Sequence, residues 1–492
     1  MNGVEIALGA GAAVLLLSVL AVRVSTRLGL PSLLLYLAIG LLIGEAGLGV
    51  QYSNAPLTAA LGIGGLVLIL AEGGLTTRWS VIRPALGPGI ALATVAVAVS
   101  IGITGWVLHS VLDLDWRTAL LWGAVLSSTD AAAVFSVLRA LKVPARLAGA
   151  LELESGINDA PVYIAVVLLA AGDPLRWWTP LLVGYELLAG ALVGAVLGFA
   201  GAWTLRRAAL PATGLYPLAT IAVCVLAFAA GQAVHASGFL ATYLAGLVLG
   251  NARLPHRGDT LSFAEGLGWL AQIALFVLLG LYASPARLPD VLIPALIAGA
   301  VLVVLARPVS VALALTPLRV PWREQGFLSW SGLRGAVPIV LALIALTRGF
   351  PGAQRLVDVV FVLVVILTAV QGITLPLVVR WLGLSRPEQS REMEVDSAAL
   401  DEMDAQLLQV TVPPLSRLHG VYLWELRLPI GSVVSLVVRD GQGFTPETTT
   451  RVQAGDQLLI VTTAGQRPGV EQRIRAVHRA GRLARWRGET GA

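Results

Sequence analysis

Long apolar stretches recur along this chain from its N-terminus to about residue 381. A helix that crosses a bilayer needs about 20 mostly apolar residues, and every backbone polar group in lipid must be satisfied within the protein. Only 13% of the residues are charged, compared with about 25% in soluble globular proteins. The pattern excludes a water-soluble enzyme for most of the chain and predicts an all-α polytopic membrane protein.

Thirteen of these stretches qualify as membrane spans. The first is not a signal peptide, because Glu5 precedes the apolar run and the basic residues follow it. The predicted spans lie near residues 3–22, 30–44, 57–75, 86–110, 118–138, 150–171, 181–204, 214–234, 237–250, 262–283, 290–314, 326–347 and 356–381.

The basic residues predict the orientation of these spans. Loops on the cytoplasmic side of a membrane are enriched in Lys and Arg. One set of alternate loops holds thirteen basic residues, namely Arg23, Arg27, Arg78, Arg83, Arg139, Lys142, Arg146, Arg206, Arg207, Arg253, Arg257, Arg319 and Arg323. The other set holds five, namely Arg117, Arg176, Arg287, Arg348 and Arg355. The bias places the N-terminus outside and the C-terminus in the cytoplasm, which requires an odd number of spans.

The composition changes after residue 385, where the transmembrane domain (1–385) is predicted to end. Residues 386–404 are polar and acidic and are predicted to form a linker. Residues 405–470 are predicted to form a small cytoplasmic α/β domain, with strands at 406–412, 433–439 and 457–462. Residues 471–492 form a basic tail, either a solvated helix end or a segment attracted to anionic lipid headgroups.

Cysteine and histidine contents restrict the kind of ion site that is possible. The chain has one Cys and five scattered His, which excludes a disulfide framework and makes a zinc site unsupported. The formal net charge of +5 does not indicate nucleic acid as a partner, because basic residues of membrane proteins collect in cytoplasmic loops. No cofactor is predicted.

Ionisable side chains inside spans are costly and indicate function by default. The densest polar group comprises Ser127, Ser128, Thr129 and Asp130 in the fifth span and Glu152, Glu154, Ser155, Asn158 and Asp159 at the start of the sixth. Ser155 and Asp159 are four residues apart and therefore share one helix face. The polar run around Thr129, and the Gly and Pro residues around Arg334, predict breaks in two helices, which in transporters point to a binding site at the membrane midplane.

Such a group has the chemistry needed for ion exchange. Carbonyl and hydroxyl oxygens freed by a helix break suit a dehydrated alkali cation. Burial favours the neutral form of a carboxylate, so that it binds either a proton or a monovalent cation.

Several of these charges have a structural interpretation as well. Glu152 is either part of the site or a solvated residue at the membrane interface. Glu154 and Arg334 are predicted to form a structural ion pair that compensates for their burial. Glu72, in the third span, is either a site member linked through water or a structural hydrogen-bond acceptor. Asp130 is either a functional member of the site or purely structural.

Three motifs resemble those of the monovalent cation/proton antiporter family. They are STDAAAV at 128–134, ESGINDAP at 154–161 and GLRGAV at 332–337, and EGGL at 72–75 also fits. Within the family, the sequence looks most similar to the bacterial NhaP-type potassium/proton antiporters over about residues 1–385. Residues 405–470 resemble the C-terminal regulatory domain of potassium transport proteins, without the nucleotide-binding domain that often accompanies it. No nucleotide ligand is assigned to residues 405–470.

The resemblance implies a homodimer in the bacterial inner membrane, built from inverted helix repeats with two crossed, discontinuous helices at the site. It implies that Asp159 binds both cation and proton, with Ser155 and the backbone near Thr129 as oxygen ligands and Asp130 at the helix crossing. Asn158 occupies a position where the electrogenic branch of the family carries a second Asp. The substitution indicates electroneutral exchange of one cation for one proton.

The sequence therefore favours a secondary antiporter that exchanges cytoplasmic K⁺, or alternatively Na⁺, for H⁺. A ligand-gated cation channel is an alternative of another class, although the chain has no TVGYG filter. An integral-membrane enzyme is unsupported, because no catalytic triad, metal motif or phosphate loop is present.

Overall fold

The computed structural model describes residues 3–28, 31–130, 143–172, 176–384, 395–400, 405–414, 416–463 and 465–487. The chain divides into two compact units, Met1–Ser385 and Arg386–Ala492.

Helices are the regular secondary structure of the first unit in the residues described. Its helices are α1 (Gly3–Leu28), α2 (Ser32–Ile43), α3 (Ala55–Thr76), α4 (Trp79–Leu112), α5 (Trp116–Ser127), α6 (Ala145–Ala171), α7 (Thr179–Arg207), α8 (Leu215–Ala233), α9 (Gly238–Asn251), α10 (Arg257–Tyr282), α11 (Leu288–Leu315), α12 (Trp322–Trp330), α13 (Ala336–Thr347) and α14 (Ala353–Trp381).

Eight of these helices are long and apolar enough to cross a membrane, counting only the described part of the chain. They are α3, α4, α6, α7, α8, α10, α11 and α14. Shorter apolar helices include α2, α9 and α13. The protein is therefore a polytopic membrane protein, and the total of thirteen spans stays a prediction.

Glycines allow two pairs of helices to approach closely. A side chain at Gly40 of α2 or at Gly280 of α10 would overlap the backbone of the other helix. The same holds for Gly74 of α3 and Gly246 of α9. Small residues at contacts let membrane helices associate through close packing and not through the hydrophobic effect. These contacts join α2 to α10 and α3 to α9.

The second unit contains a five-stranded antiparallel sheet. Its strands are β1 (Val395–Leu400), β2 (Ala405–Thr411), β3 (Val433–Arg439), β4 (Gln442–Phe444) and β5 (Gln457–Thr463), in the spatial order β1-β2-β5-β3-β4. A helix, α15 (Arg467–Ala480), follows β5. Its Val470, Ile474 and Val477 share the hydrophobic core of this unit with sheet residues such as Val410 and Ile460.

The three strands predicted from the sequence are present, each to within one residue of its predicted bounds. Two boundaries differ. Val395–Leu400 lies within the predicted linker but forms an edge strand, because β2 offers it backbone hydrogen-bond partners from Val410 to Ala405. Helix α15 crosses the predicted start of the basic tail at residue 471, because the apolar face of the helix is needed to cover the sheet.

A buried histidine connects α15 to the loop after β2. The Nδ1 atom of His478 lies 2.7 Å from the Ser416 hydroxyl, which also accepts a hydrogen bond from the Leu418 N–H. The backbone N–H of Arg417 donates to the His478 carbonyl. Burial, and secondly the positive charge of Arg479, lower the pKa of His478. The neutral imidazole is therefore the form that fits this contact.

The second unit should lose stability as the pH falls below about 6.5, the ordinary histidine pKa. A lowered folded-state pKa means that the unfolded chain binds a proton first, so this contribution is full above about 6.5 and declines as the pH decreases toward the folded-state pKa. Hydrogen exchange of the β2 and β5 amides in the full chain, corrected for intrinsic rates, measures it. His478→Gln should remove the pH dependence, whereas the exposed His419→Gln should retain it. An unchanged profile in His478→Gln would assign the dependence to another group.

Candidate functional site

Helix α5 ends where the sequence becomes polar. Ser128 adopts an extended conformation (φ −63°, ψ 140°) directly after the last helical residue, Ser127. The Ser127 hydroxyl donates to the Gly123 carbonyl and lies 3.1 Å from the Ser100 hydroxyl. The chain stays non-helical through Asp130, and residues 131–142, where the predicted fifth span continues, lie outside the described residues. The break predicted near Thr129 is therefore present on its N-terminal side.

The second predicted break is also present, between α12 and α13. Its freed carbonyls have side-chain partners from a neighbouring helix. Gln371 of α14 donates to the Trp330 carbonyl over 3.1 Å. Thr368 of α14 donates to the Arg334 carbonyl over 2.7 Å. Non-helical backbone at membrane depth is tolerated where such internal partners exist.

The two breaks meet directly. The backbone N–H of Asp130 donates to the carbonyl of Leu333 over 2.9 Å. Nε of Arg334 donates to the Leu126 carbonyl, near the end of α5, over 3.1 Å. A side chain at Gly335 would overlap the Asp130 carboxylate, so the close approach of the two segments requires glycine there. This geometry places Asp130 and Arg334 at one crossing point.

Polar residues of the first break and of α6 form one buried cluster around the crossing. The Ser128 hydroxyl donates to Oδ1 of Asp159 over 2.8 Å. The Asn158 amide donates to the Thr129 hydroxyl over 2.6 Å, and that hydroxyl lies 3.4 Å from the hydroxyl of Ser155. All five side chains are buried, with Asp159 only 4% exposed. The sequence predicted that four of these residues share a site.

The Asp159 carboxylate lacks a compensating positive charge in the described part of the chain, where no arginine or histidine forms an ion pair with it. A buried carboxylate without a partner becomes tolerable by taking up a proton or by binding a cation. The hydroxyls of Ser128, Thr129 and Ser155 lie nearby as further oxygens. The Asn158 carbonyl oxygen is also buried and accepts no hydrogen bond among the described residues.

Sequence reasoning missed Ser128 as a partner of Asp159. The residue belongs to the first motif, but the direction of its side chain depends on the extended backbone after α5. In a continuous helix, successive side chains point about 100° apart, and the spacing of Ser128 from Asp159 in the sequence gives no indication of contact. Its position at the first residue of the polar break was the available signal.

The predicted ion pair between Glu154 and Arg334 is wrong. Glu154 pairs with Arg307, whose Nη2 donates to Oε2 of Glu154 over 2.8 Å and to the Leu328 carbonyl over 3.2 Å. Arg334 donates instead to backbone carbonyls of the two breaks, those of Leu126 and Gly332. The guanidinium groups of Arg307 and Arg334 therefore bind different acceptors.

Sequence reasoning did not identify Arg307 as the partner of Glu154. The charge of Arg307 inside the predicted span at 290–314 was the available signal, but a separation of 153 residues gives no indication of the contact. Arg307 immediately follows a π-helical turn, Val301–Ala306, inside α11. Such turns occur often at functional sites. A side chain at Gly332 would contact the guanidinium groups of both Arg307 and Arg334, so this glycine makes room for two neighbouring cations.

Glu72 lies on α3, which contributes no side chain to the hydrogen bonds of the cluster described above. It is half-buried on α3, and its side-chain carbons lie against Gly268 of α10. None of the hydrogen bonds described above includes Glu72. The structure therefore brings Asp159, Ser155, Thr129, Asn158 and Asp130 together and does not connect Glu72 to them by those bonds.

The fold and the crossing define a transporter with two broken helices at a buried carboxylate. The chain was compared with known sequences and structures. The family described as sodium/hydrogen exchanger, transmembrane, matches residues 13–381. A K⁺/H⁺ antiporter NhaP of Alkalimonas amylolytica is 36% identical over 92% of this chain and 81% of its own length. A K⁺/H⁺ antiporter NhaP2 of Shewanella baltica is 36% identical over 94% of this chain and 81% of its own length.

A solved structure has a similar fold. The sodium proton antiporter MjNhaP1 of Methanocaldococcus jannaschii superposes with a TM-score of 0.66 at 22% identity, covering 77% of this chain and 99% of that one. The chain belongs to the sodium/hydrogen exchanger family and is a cation/proton antiporter.

Loss of one partner from the Glu154–Arg307 pair should strongly destabilise the first unit. Removing one member of a buried pair leaves an uncompensated charge, at a cost of about 3–5 kcal/mol. Glu154→Ala and Arg307→Ala should each lower the melting temperature in detergent, and the double variant should lose less than the sum. Glu154→Ala combined with Arg334→Ala is the matched comparison and should be closer to additive. If the Glu154/Arg334 double variant deviated more from additivity than the Glu154/Arg307 double variant, Arg334 would be the partner of Glu154.

Proposed function

We propose that the protein exchanges a monovalent cation for H⁺ at the carboxylate of Asp159. The observation that supports this most strongly is a buried carboxylate that has a serine hydroxyl as hydrogen-bond donor and no ion-pair partner among the described residues. Such a group is neutralised by one proton or by one monovalent cation. The two ligands must compete, and competition for one site is the minimum requirement for exchange.

Ser155 and backbone oxygens near Thr129 are proposed to complete the cation site. Ser155 lies one turn before Asp159 on α6, and its hydroxyl is 3.4 Å from the Thr129 hydroxyl. Asp130 is proposed to balance the helix ends at the crossing, where its N–H already binds the Leu333 carbonyl. Glu72 is proposed to act on the ion through water, with a role as a structural hydrogen-bond acceptor as the alternative.

K⁺ is the favoured cation. Both curated relatives described above are named K⁺/H⁺ antiporters and cover more than nine-tenths of this chain. Na⁺ is the alternative, since the similar solved structure is that of a sodium proton antiporter. Because K⁺ and Na⁺ both bind oxygen ligands, the type of ligand does not distinguish them. The first transport experiment should therefore compare the two ions directly.

Exchange is proposed to be electroneutral, with one cation exchanged for one proton. The residue beside Asp159 is the neutral Asn158, whose amide donates to Thr129. A single carboxylate that alternates between a proton and a cation carries the same charge in both directions of transport.

The surroundings of the exchanger are proposed from the sequence. The family resemblance favours a bacterial inner membrane, and the distribution of basic residues favours an orientation with the N-terminus outside and residues 405–470 in the cytoplasm. A homodimer is proposed from the family resemblance. The soluble unit is proposed to regulate exchange, because every residue of the cluster lies before residue 340.

Asp159→Asn should abolish cation-dependent proton flux in proteoliposomes with an imposed pH gradient. The amide oxygen keeps the hydrogen bond from Ser128, so the variant should fold, but the amide neither releases a proton nor neutralises a cation. The apparent affinity of the wild-type protein for the cation should decrease as the pH falls, because protons compete for the same carboxylate. The wild-type flux should be the same with and without a clamped membrane potential, because one positive charge is exchanged for one.

The half-exposed Glu186→Gln on α7 is the matched control and should transport normally. Li⁺, Na⁺, K⁺ and Rb⁺ compared side by side give the cation preference. Retained proton-coupled flux in Asp159→Asn would falsify the assignment and make Asp130 the next candidate.

Truncation after Gln389 tests the soluble unit. Exchange should remain detectable with a changed rate or pH dependence, because the ion cluster is intact. Flux across a pH series in proteoliposomes measures this, with membrane insertion and melting temperature as controls. Complete loss of exchange in a well-folded truncation would show that the soluble unit is part of the transport machinery.

A further inference from the structure

A polar stripe extends along α6 away from Asp159. Glu152, Ser155, Gly156 and Asp159 follow the spacing i, i+3, i+4, i+7 and therefore share one helix face. At a rise of 1.5 Å per residue, Glu152 and Asp159 are separated by about 10 Å along the axis. Glu152 is half-buried, whereas Asp159 is almost fully buried. The stripe thus leads from a partly accessible carboxylate to the deeply buried one.

An aromatic ring covers the middle of this stripe. The ring of Tyr243, on α9, lies directly on Gly156, and a side chain at this glycine would overlap the ring. Tyr243 is 2% exposed. Because Gly156 lies between Glu152 and Asp159 on the shared face, the ring separates the two carboxylates.

The hydroxyl of Tyr243 has unused hydrogen-bonding capacity. It is buried and forms no hydrogen bond within the described residues. Its neighbour Thr77 donates its own hydroxyl proton to the Gly73 carbonyl over 2.6 Å, so the Thr77 oxygen can serve Tyr243 only as an acceptor, and the Tyr243 oxygen keeps its own acceptor capacity. Glu152 lies one helical turn before Gly156, the residue against which the Tyr243 ring packs. A buried hydroxyl of this kind requires an acceptor or a water molecule.

Glu152 has no ion-pair partner in the described part of the chain. Arg78, an exposed residue between α3 and α4, acts on Glu152 through its charge and not through a salt bridge. Charges that are exposed to solvent are screened by salt within about 10 Å. In its ionised form, this half-buried carboxylate at the accessible end of the stripe attracts cations.

We propose that Glu152 forms an outer binding site for a hydrated monovalent cation, and that the Tyr243 ring over Gly156 is the barrier between this site and Asp159. The Tyr243 hydroxyl hydrogen-bonds to the water shell of that cation or to the carboxylate. This inference rests on the proposed exchange at Asp159 and adds the step that supplies the cation to it. A cleft with one sign of charge raises the local concentration of its counter-ion by about tenfold or more.

Glu152→Gln should raise the apparent KM for K⁺ by about tenfold at low ionic strength and leave kcat unchanged. The Asp159 site stays intact, so saturating K⁺ should restore the wild-type rate. Glu152→Asp keeps the charge and should stay near the wild-type KM. Glu186→Gln removes a carboxylate of similar burial away from the stripe and should have no effect on KM.

Ionic strength provides a test on the wild-type protein itself. Raising choline chloride should increase the wild-type KM for K⁺, and this dependence should be weaker in Glu152→Gln. Tyr243→Phe retains the ring and removes the hydroxyl, and it should raise KM by less than Glu152→Gln does. Tyr243→Ala removes the barrier and should alter kcat.

An unchanged KM in Glu152→Gln, or a decreased kcat with an unchanged KM, overturns the outer site. Both results would leave the proposed function standing, since that function depends on flux in the wild type and its loss in Asp159→Asn. Retained flux in Asp159→Asn would overturn the proposed function whatever the KM of Glu152→Gln.

Discussion

The backbone hydrogen bond from Asp130 to Leu333 is the constraint on which the functional site depends. It joins two stretches that have left helical conformation, each of which exposes carbonyls that lipid cannot satisfy. Arg334 and the α14 side chains Gln371 and Thr368 bind carbonyls of these stretches. The crossing therefore remains ordered without helical hydrogen bonds and holds Ser128 and Thr129 against α6.

Charge is distributed unequally around this crossing. Arg307 and Glu154 compensate for each other, and Arg334 is bound by carbonyl oxygens. Asp159 accepts a hydrogen bond from the Ser128 hydroxyl and forms no ion pair with a guanidinium group among the described residues. The buried basic groups thus hold the structure in place, whereas Asp159 has no ionic partner among the described residues and is the carboxylate proposed to exchange its ligand. That separation of roles follows from the fact that a charge already paired gains little from a transported ion.

Most of the fold class followed from local patterns. Apolar stretches of helix length predicted the membrane unit, and alternating apolar residues between turn signals predicted β2, β3 and β5. Both helix breaks were predictable from polar and glycine residues in otherwise apolar runs. The limits of α15 and the strand β1 were not, because each depends on what the neighbouring sheet leaves uncovered or unpaired.

The sequence by itself determined which residues lie near Asp159 along α6, because helical spacing places Ser155 and Asp159 on one face. Only the tertiary structure decided the partners that lie far apart in the sequence. Ser128 reaches Asp159 because the backbone after α5 is extended, and Arg307 takes the place predicted for Arg334 because two side chains 153 residues apart in the sequence meet in the fold. Periodicity specifies the face of one helix, whereas contacts between helices depend on how those faces pack.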